Sequence, residues 1–217
     1  MSSTAEPDSV RRNCRAARES SPRSARVVTV TPSSCPGVSR ASEEAAITEL
    51  DPPVGAHDHV AGPLEAELTL VEFGDFECPY CRDAAPVIDE VRAQLGERLR
   101  FVFRQFPLYE VHPHALAAAT ASEMAALEGR FWPMHSSLYA PGPPRLTQPD
   151  LREHALAAGV DPERVVWPAT RLVEDRVEAD FNAGVRSGVR GTPTLFVNGV
   201  PHRGDVTVRA LVAALTA

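Results

Sequence analysis

The sequence contains no lysine: all 22 of its basic residues are arginine. Lysine-dependent catalysis is thereby excluded, and no ammonium group is on hand to lower the pKa of a nearby thiol. Long apolar runs are also missing. No window approaches the roughly 20 apolar residues of a membrane-spanning helix. The N-terminal region lacks the apolar core of a secretory leader, and Val27-Val28-Thr29-Val30 is too short to serve as one. Its Arg- and Ser-rich composition is shared with organelle transit peptides, yet it carries Glu6, Asp8 and Glu19. As it stands, the chain is expected to be cytosolic (cytoplasmic) and to have no membrane partner. Cysteine is scarce. The four are Cys14, Cys35, Cys78 and Cys81, too few for a disulfide framework in a chain of 217 residues. A zinc site drawing on all four has the wrong spacing. Positive charge is in deficit as well. The net charge of −7 and a pI near 5.5 argue against nucleic acid as a partner.

What is present is a core and a tail. Hydrophobic residues make up 43% of the chain, enough to fill one domain. Residues 1–55 are instead rich in Ser, Arg, Pro and Ala, without sustained periodicity, and read as a disordered or linker tail. Within it Glu43 to Leu50 suits a short helix, stopped by Asp51-Pro52-Pro53. Cys14 and Cys35 are expected to be free thiols there, with a disulfide between them or an accessory redox pair as the alternatives.

Beyond the tail the pattern becomes regular. Leu68 to Phe73 reads as a strand. Pro79 suits a first helical turn, and Val87, Ile88, Val91 and Leu95 continue an apolar stripe to Gly96, with Pro86 expected to kink it. Arg100 to Phe106 reads as the next strand. Strand, helix, strand makes the two strands parallel. A long helical region follows, with helices over Pro113 to Leu127, Phe131 to Tyr139 and Gln148 to Ala158, the last capped by Thr147. Another starts at Asp161-Pro162-Glu163. The last carries a stripe of Leu172, Val173, Val177, Phe181 and Val185 and ends at Gly188. Thr194 to Val197 and Val200 to Arg203 form a hairpin about Asn198-Gly199, before a terminal helix over Val206 to Leu215.

The chemistry concentrates in Val71-Glu72-Phe73-Gly74-Asp75-Phe76-Glu77-Cys78-Pro79-Tyr80-Cys81. A strand, a turn and a Cys-x-x-Cys opening a helix fit a redox dithiol better than a zinc knuckle. A thiol at a helix N-terminus faces unpaired backbone N–H groups and the positive end of the dipole, which favour the thiolate. Cys78 is therefore the expected nucleophile and the more exposed thiol. Cys81, one turn further in, is the resolving thiol. Far downstream, Gly191-Thr192-Pro193-Thr194-Leu195-Phe196-Val197-Asn198-Gly199 sets a Thr-Pro before a strand.

With these segments the stretch from about His57 to Ala217 resembles the DsbA-like branch of the thioredoxin superfamily. Asp58-His59 with Gly62, Phe101 to Pro107, and His112-Pro113-His114-Ala115 carry the resemblance further. It implies an α/β thioredoxin fold over residues 56–217, with an inserted all-helical domain at about 110–188. It implies a thiol-disulfide oxidoreductase with no organic cofactor and no metal. Pro193 would be cis and pack against the active-site disulfide, and Thr192 would offer backbone hydrogen bonds to a substrate strand. Pro79 and Tyr80 would meet the substrate beside them. Glu72 falls where such proteins place a buried acid under the resolving cysteine, able to take the Cys81 proton; a partly solvated strand-end charge is the alternative. A cytosolic chain would depart from the exported DsbA enzymes.

Asp75 and Glu77 are expected to be exposed and to oppose a Cys78 thiolate. His112 and His114 are candidate metal ligands or bases, but Pro113 between them favours a helix start and structural roles, with His114 as a polar cap, and His57 and His59 lack the spacing of metal ligands. The expected partners are protein or small-molecule thiol/disulfide substrates, with glutathione or a thioredoxin-type reductant as source of electrons. Two rival functions stand. Cys-Pro-Tyr-Cys is also the glutaredoxin sequence, which allows a glutathione-linked oxidoreductase. A redox-sensing interaction module is the other.

Overall fold

The structure, a computed structural model, describes residues 49–217. Cys14, Cys35 and all but the last two residues of the helix expected from Glu43 lie outside the described residues. Glu49 and Leu50 are not helical.

Among the described residues five strands form one sheet: β1 (His59–Ala61), β2 (Leu68–Gly74), β3 (Leu99–Gln105), β4 (Thr194–Val197) and β5 (Val200–Pro201). Their order is β1-β3-β2-β4-β5. β2 and β3 run parallel, joined by helix α1 (Pro79–Leu95), and the remaining pairs are antiparallel. Every residue of β2 is buried, as a central strand covered on both faces requires. Side chains alternate between the faces. Leu68 and Leu70 join Phe101, Phe103 and Leu195 in the larger core with α1. Val71 and Phe73 join Val102, Phe106 and Phe196 in the smaller one. Glu72 shares the parity of Leu68 and Leu70, and so points at α1.

Local sequence explains the punctuation. α1 begins with Pro79, where the missing N–H has no helical partner to lose, and buries Cys81, Ala84, Ile88, Val91 and Leu95 on one stripe. At the end of β2, Gly74 lies so close to the Phe103 ring that an added Cβ would sit 2.3 Å from it. Asn198 and Gly199, with φ of 49° and 85°, make the β4–β5 turn.

Between β3 and β4 lie four α-helices: α2 (Ala115–Ala126), α3 (Phe131–Leu138), α4 (Gln148–Ala158) and α5 (Glu174–Arg186). A 3-10 turn over Ala169–Val173 precedes α5, and α6 (Val208–Leu215) closes the domain. This is the α/β arrangement with a helical insertion that the sequence led us to expect. α2 is rich in Ala, so neighbours approach it closely. α4 carries a capping box of Thr147 and Asp150.

Three expectations differ from the structure. No helix starts at Asp161: the Asp161 side chain accepts the Glu163 N–H at 3.0 Å, a local turn that competes with a helix. Leu172 and Val185, assigned to the apolar stripe, are exposed. The tail boundary at residue 55 is set too late. Leu50 is buried in the smaller core, and its N–H bonds the Gly199 carbonyl at 2.9 Å. Ser187 bridges the Asp51 backbone, and Arg104 donates to the carbonyls of Pro52 and Pro53. Arg104 is itself buried and paired with Asp58 at 2.8 Å. Among the described residues no helix is long and apolar enough to cross a membrane.

Candidate active site

β2 delivers the chain to a short turn, and the turn delivers Cys78 to the N-cap of α1. The Cys78 N–H bonds the Asp75 carbonyl at 3.1 Å, and Cys78 keeps an extended backbone, φ −67° and ψ 122°. Both cysteines are free thiols. Cys78 is 3% exposed and Cys81 fully covered, so both are buried, with Cys78 the more exposed as expected.

Their acidities diverge for physical reasons. A hydrogen bond from Cys81 is the largest influence on Cys78. With Thr192 and the backbone N–H groups of Cys81 and Tyr80, it outweighs burial and lowers the Cys78 pKa to about 5. Cys81 moves the other way. Burial, the bond it gives Cys78, and the charges of Glu72 and Cys78 hold it well above the ordinary thiol range. Glu72 is buried beneath Cys81 on the α1-facing side of β2. Burial, joined by the charges of Cys78 and Asp89 and opposed by a hydrogen bond from Cys81, raises it to about 8.

Across from the dithiol, the Thr192–Pro193 peptide bond is cis. The Thr192 carbonyl oxygen lies 3.2 Å from Cys78 Sγ. Tyr80, Asp83, Ala84, Thr192, Pro193 and Val206 line a shallow depression beside Cys78, from which the Tyr80 ring projects into solvent. The structure therefore brings Cys78, Pro79, Tyr80, Cys81, Glu72, Thr192 and Pro193 into one neighbourhood, from the β2–α1 turn and the start of β4.

Behind the dithiol is a cavity of about 440 Å³ whose lining includes Glu72, Arg82, Asp89, Phe101, His135 and Tyr139. Glu72 Oε1, His135 Nε2 and Tyr139 Oη are buried without a hydrogen-bond partner. Burial, aided by the charges of Arg92 and His59, lowers the His135 pKa to about 3. Burial, aided by the charges of Cys81 and Glu72, raises that of Tyr139. The sequence reading missed both residues. His135 sits on α3 and Tyr139 caps its C-terminus, far along the chain, with no local signal to tie them to Glu72.

Asp75 corrects an expectation. It is buried, not exposed, and its carboxylate accepts N–H groups from Glu77 at 2.8 Å and Leu108 at 2.9 Å and faces His112 Nδ1 at 2.8 Å. Glu77, partly buried, accepts the His114 N–H at 2.6 Å. His114 occupies the N-cap of α2, yet its side chain makes no capping bond. An Asp just before a helix is a recognisable backbone acceptor. The approach of residues 108–114 is tertiary and leaves no mark in the spacing. His59 pairs with Glu123 at 2.8 Å and stacks on Phe131. No cluster of three or more metal-ligating side chains occurs among the described residues.

A helix-capping dithiol over a mixed sheet, facing a Thr-Pro at the head of the next strand, defines a thioredoxin-type architecture. The profile of the Thioredoxin family (Thioredoxin_4) matches residues 56–217, and the chain belongs to that family. The chain is similar to a thioredoxin-like oxidoreductase from Silicibacter pomeroyi, with TM-score 0.65 and 25% identity over 75% of this chain and 92% of that one. Its fold is also that of oxidised BdbD from Bacillus subtilis, with TM-score 0.61 and 22% identity over 74% and 94%. These neighbours bear out the expected DsbA-like fold. Among curated proteins, the chain is 46% identical over 163 residues to a Na(+)/H(+) antiporter, NhaA 1, of Mycolicibacterium gilvum. That match takes in 74% of this chain but only 26% of the antiporter, so the chain spans about a quarter of that relative's length.

Proposed function

We propose that the chain is a thiol-disulfide oxidoreductase working through Cys78-Pro79-Tyr80-Cys81. The observation that carries this reading is the split within one dithiol: an acidic thiol at the α1 N-cap and a strongly basic one directly over a buried acid. The Cys78 thiolate attacks a substrate disulfide, one substrate sulfur leaves as thiolate, and a mixed disulfide forms. Forming that bond removes the Cys78 charge, which had helped to hold Glu72 protonated. Glu72 then loses its proton more easily to solvent or to the departed substrate thiolate, its carboxylate takes the Cys81 proton, and Cys81 displaces the second substrate sulfur. In the opposite direction a substrate thiolate attacks Cys78, Cys81 leaves, and protonated Glu72 returns its proton. No metal or organic cofactor enters either direction. Protein or small-molecule thiols and disulfides are the substrates. Thr192 would hold a peptide by backbone pairing, and Pro79, Tyr80 and Pro193 would border it.

The test is trapping. Cys81→Ser should accumulate mixed disulfides with a protein substrate, and Cys78→Ser should accumulate none. If both variants reduce insulin as well as the wild type, the dithiol mechanism fails.

A redox-sensing module is the second reading. The observation favouring it is the 46% identity to one quarter of an antiporter. A domain that serves a larger protein can report its redox state to that partner without turning over free substrates. Slow turnover with a normal Cys78–Cys81 couple would favour it over the first reading.

A further inference from the structure

We propose that His112 is a positioning residue for the exchange, a proton-carrying imidazole fixed by Asp75 that couples the redox state of Cys78 to pH. The proposal rests on the reading of Cys78 and Cys81 as an exchanging dithiol. Its basis is the way one buried residue serves two segments. The Asp75 carbonyl holds the Cys78 N–H at 3.1 Å. The Asp75 carboxylate, on the same buried residue, holds Leu108 N at 2.9 Å and His112 Nδ1 at 2.8 Å through Oδ2. Glu77 adds a third tie, its carboxylate on the His114 N–H at 2.6 Å. The segment carrying His112 is therefore bound to the turn that presents the nucleophile.

Because a carboxylate accepts at Nδ1, that nitrogen carries a proton in either charge state, and the cation forms by protonation at Nε2. The ring is 20% exposed, so a proton from solvent can reach it. From the β2–α1 turn, Asp75 bonds the ring, and the charges of Glu77 and of the N-cap Cys78, on the same turn, act on it. Partial burial disfavours the cation, but the bond to Asp75 and the charges of Asp75, Cys78 and Glu77 outweigh it and raise the His112 pKa. With no lysine in the chain, a histidine in this place is a cation that pH can switch off.

The proton balance gives this a consequence. When the Cys78–Cys81 disulfide oxidises a substrate dithiol, two electrons enter it, its S–S bond breaks and a substrate S–S bond forms. The two substrate thiols release two protons. One ends on Cys81. The other has no place on Cys78, which stays a thiolate. His112 takes up a share of it, because the new thiolate raises its proton affinity. Linkage is reciprocal: the proton on His112 raises the affinity of the disulfide for electrons by the same factor.

The test measures the Cys78–Cys81 equilibrium in glutathione buffers, for wild type and His112→Gln, across about pH 5.5 to 9, the span of histidine titration. At the acid end the variant should be the more reducing, by about tenfold in equilibrium constant, or about 30 mV for this two-electron couple. The two curves should converge at the alkaline end. Separately, the His112 imidazole, followed by NMR in the wild-type protein, should titrate at higher pH in the reduced form than in the oxidised form. Parallel potential curves, or one imidazole pKa in both redox states, would overturn the proposal. A wild-type protein that exchanges with no thiol at all sinks the oxidoreductase reading instead. The NMR titration stands even if the variant does not fold.

Discussion

Cys78 and Cys81 lie one helical turn apart, and their environments push them in opposite directions. Cys78 has its pKa lowered from 9.0 to about 5. In the reduced protein this contributes stability that is absent below about pH 5, grows as pH rises, and is complete above the unfolded thiol pKa. Glu72 has the opposite sign. Raised from 4.5 to about 8, it costs stability that grows from its unfolded pKa up to its folded one. Alkylation at about pH 6, where only a lowered thiol ionises, should label Cys78 fast and leave Cys81 untouched. Mass-spectrometric mapping checks this, and preferential labelling of Cys81 would contradict it. Glu72→Gln should stabilise the reduced fold by about 3 kcal/mol near neutral pH, measured by denaturant unfolding. The same change should slow resolution of a mixed disulfide by about 10²-fold, the usual worth of a positioned general base. An unchanged resolution rate would remove Glu72 from the mechanism.

At the scale of elements, what was legible depended on the reach of the signal. β2, α1, β3 and the Asn198-Gly199 hairpin are written in local pattern and turn chemistry, and the structure has them within a residue or two of where they were expected. β1 has three residues, too few to show a period, and exists because β3 offers it a free edge. Likewise Leu50 to Pro53 belong to the domain through partners more than 45 residues away, which composition does not register. Leu50→Ala should cost about 2 kcal/mol, seen as a lower denaturation midpoint at constant slope. Stability equal to wild type would return that segment to the tail. Gly74→Ala would drive a methyl into the Phe103 ring and should cost about 1–3 kcal/mol. Because Gly74 leads into the turn before Cys78, thermal unfolding and the Cys78 labelling rate should change together.

For the whole molecule, the acidic Cys78 favours the dithiol over the disulfide. The pair should accordingly have a potential of roughly −120 to −230 mV, more oxidising than the thioredoxin reference of about −270 mV. Equilibration with glutathione buffers measures it, and a value at or below that reference would recast the protein as a reductant. The reduced protein should also melt above the oxidised one near neutral pH. The seven residues expected at the site do converge, because each lies in a local strand–turn–helix or Thr-Pro context. His135, Tyr139 and the pairing of Asp75 with His112 were beyond sequence reasoning because those partners arrive only when the sheet and the helical insertion close. Among the described residues the sheet that gathers them has blunt margins. β1 offers three residues and β5 two, one of them Pro201, while the long strands β2 and β3 lie inside. Such margins give a second copy little to zip onto, so a crowded solution of these molecules should resist growing into fibres by edge-to-edge pairing.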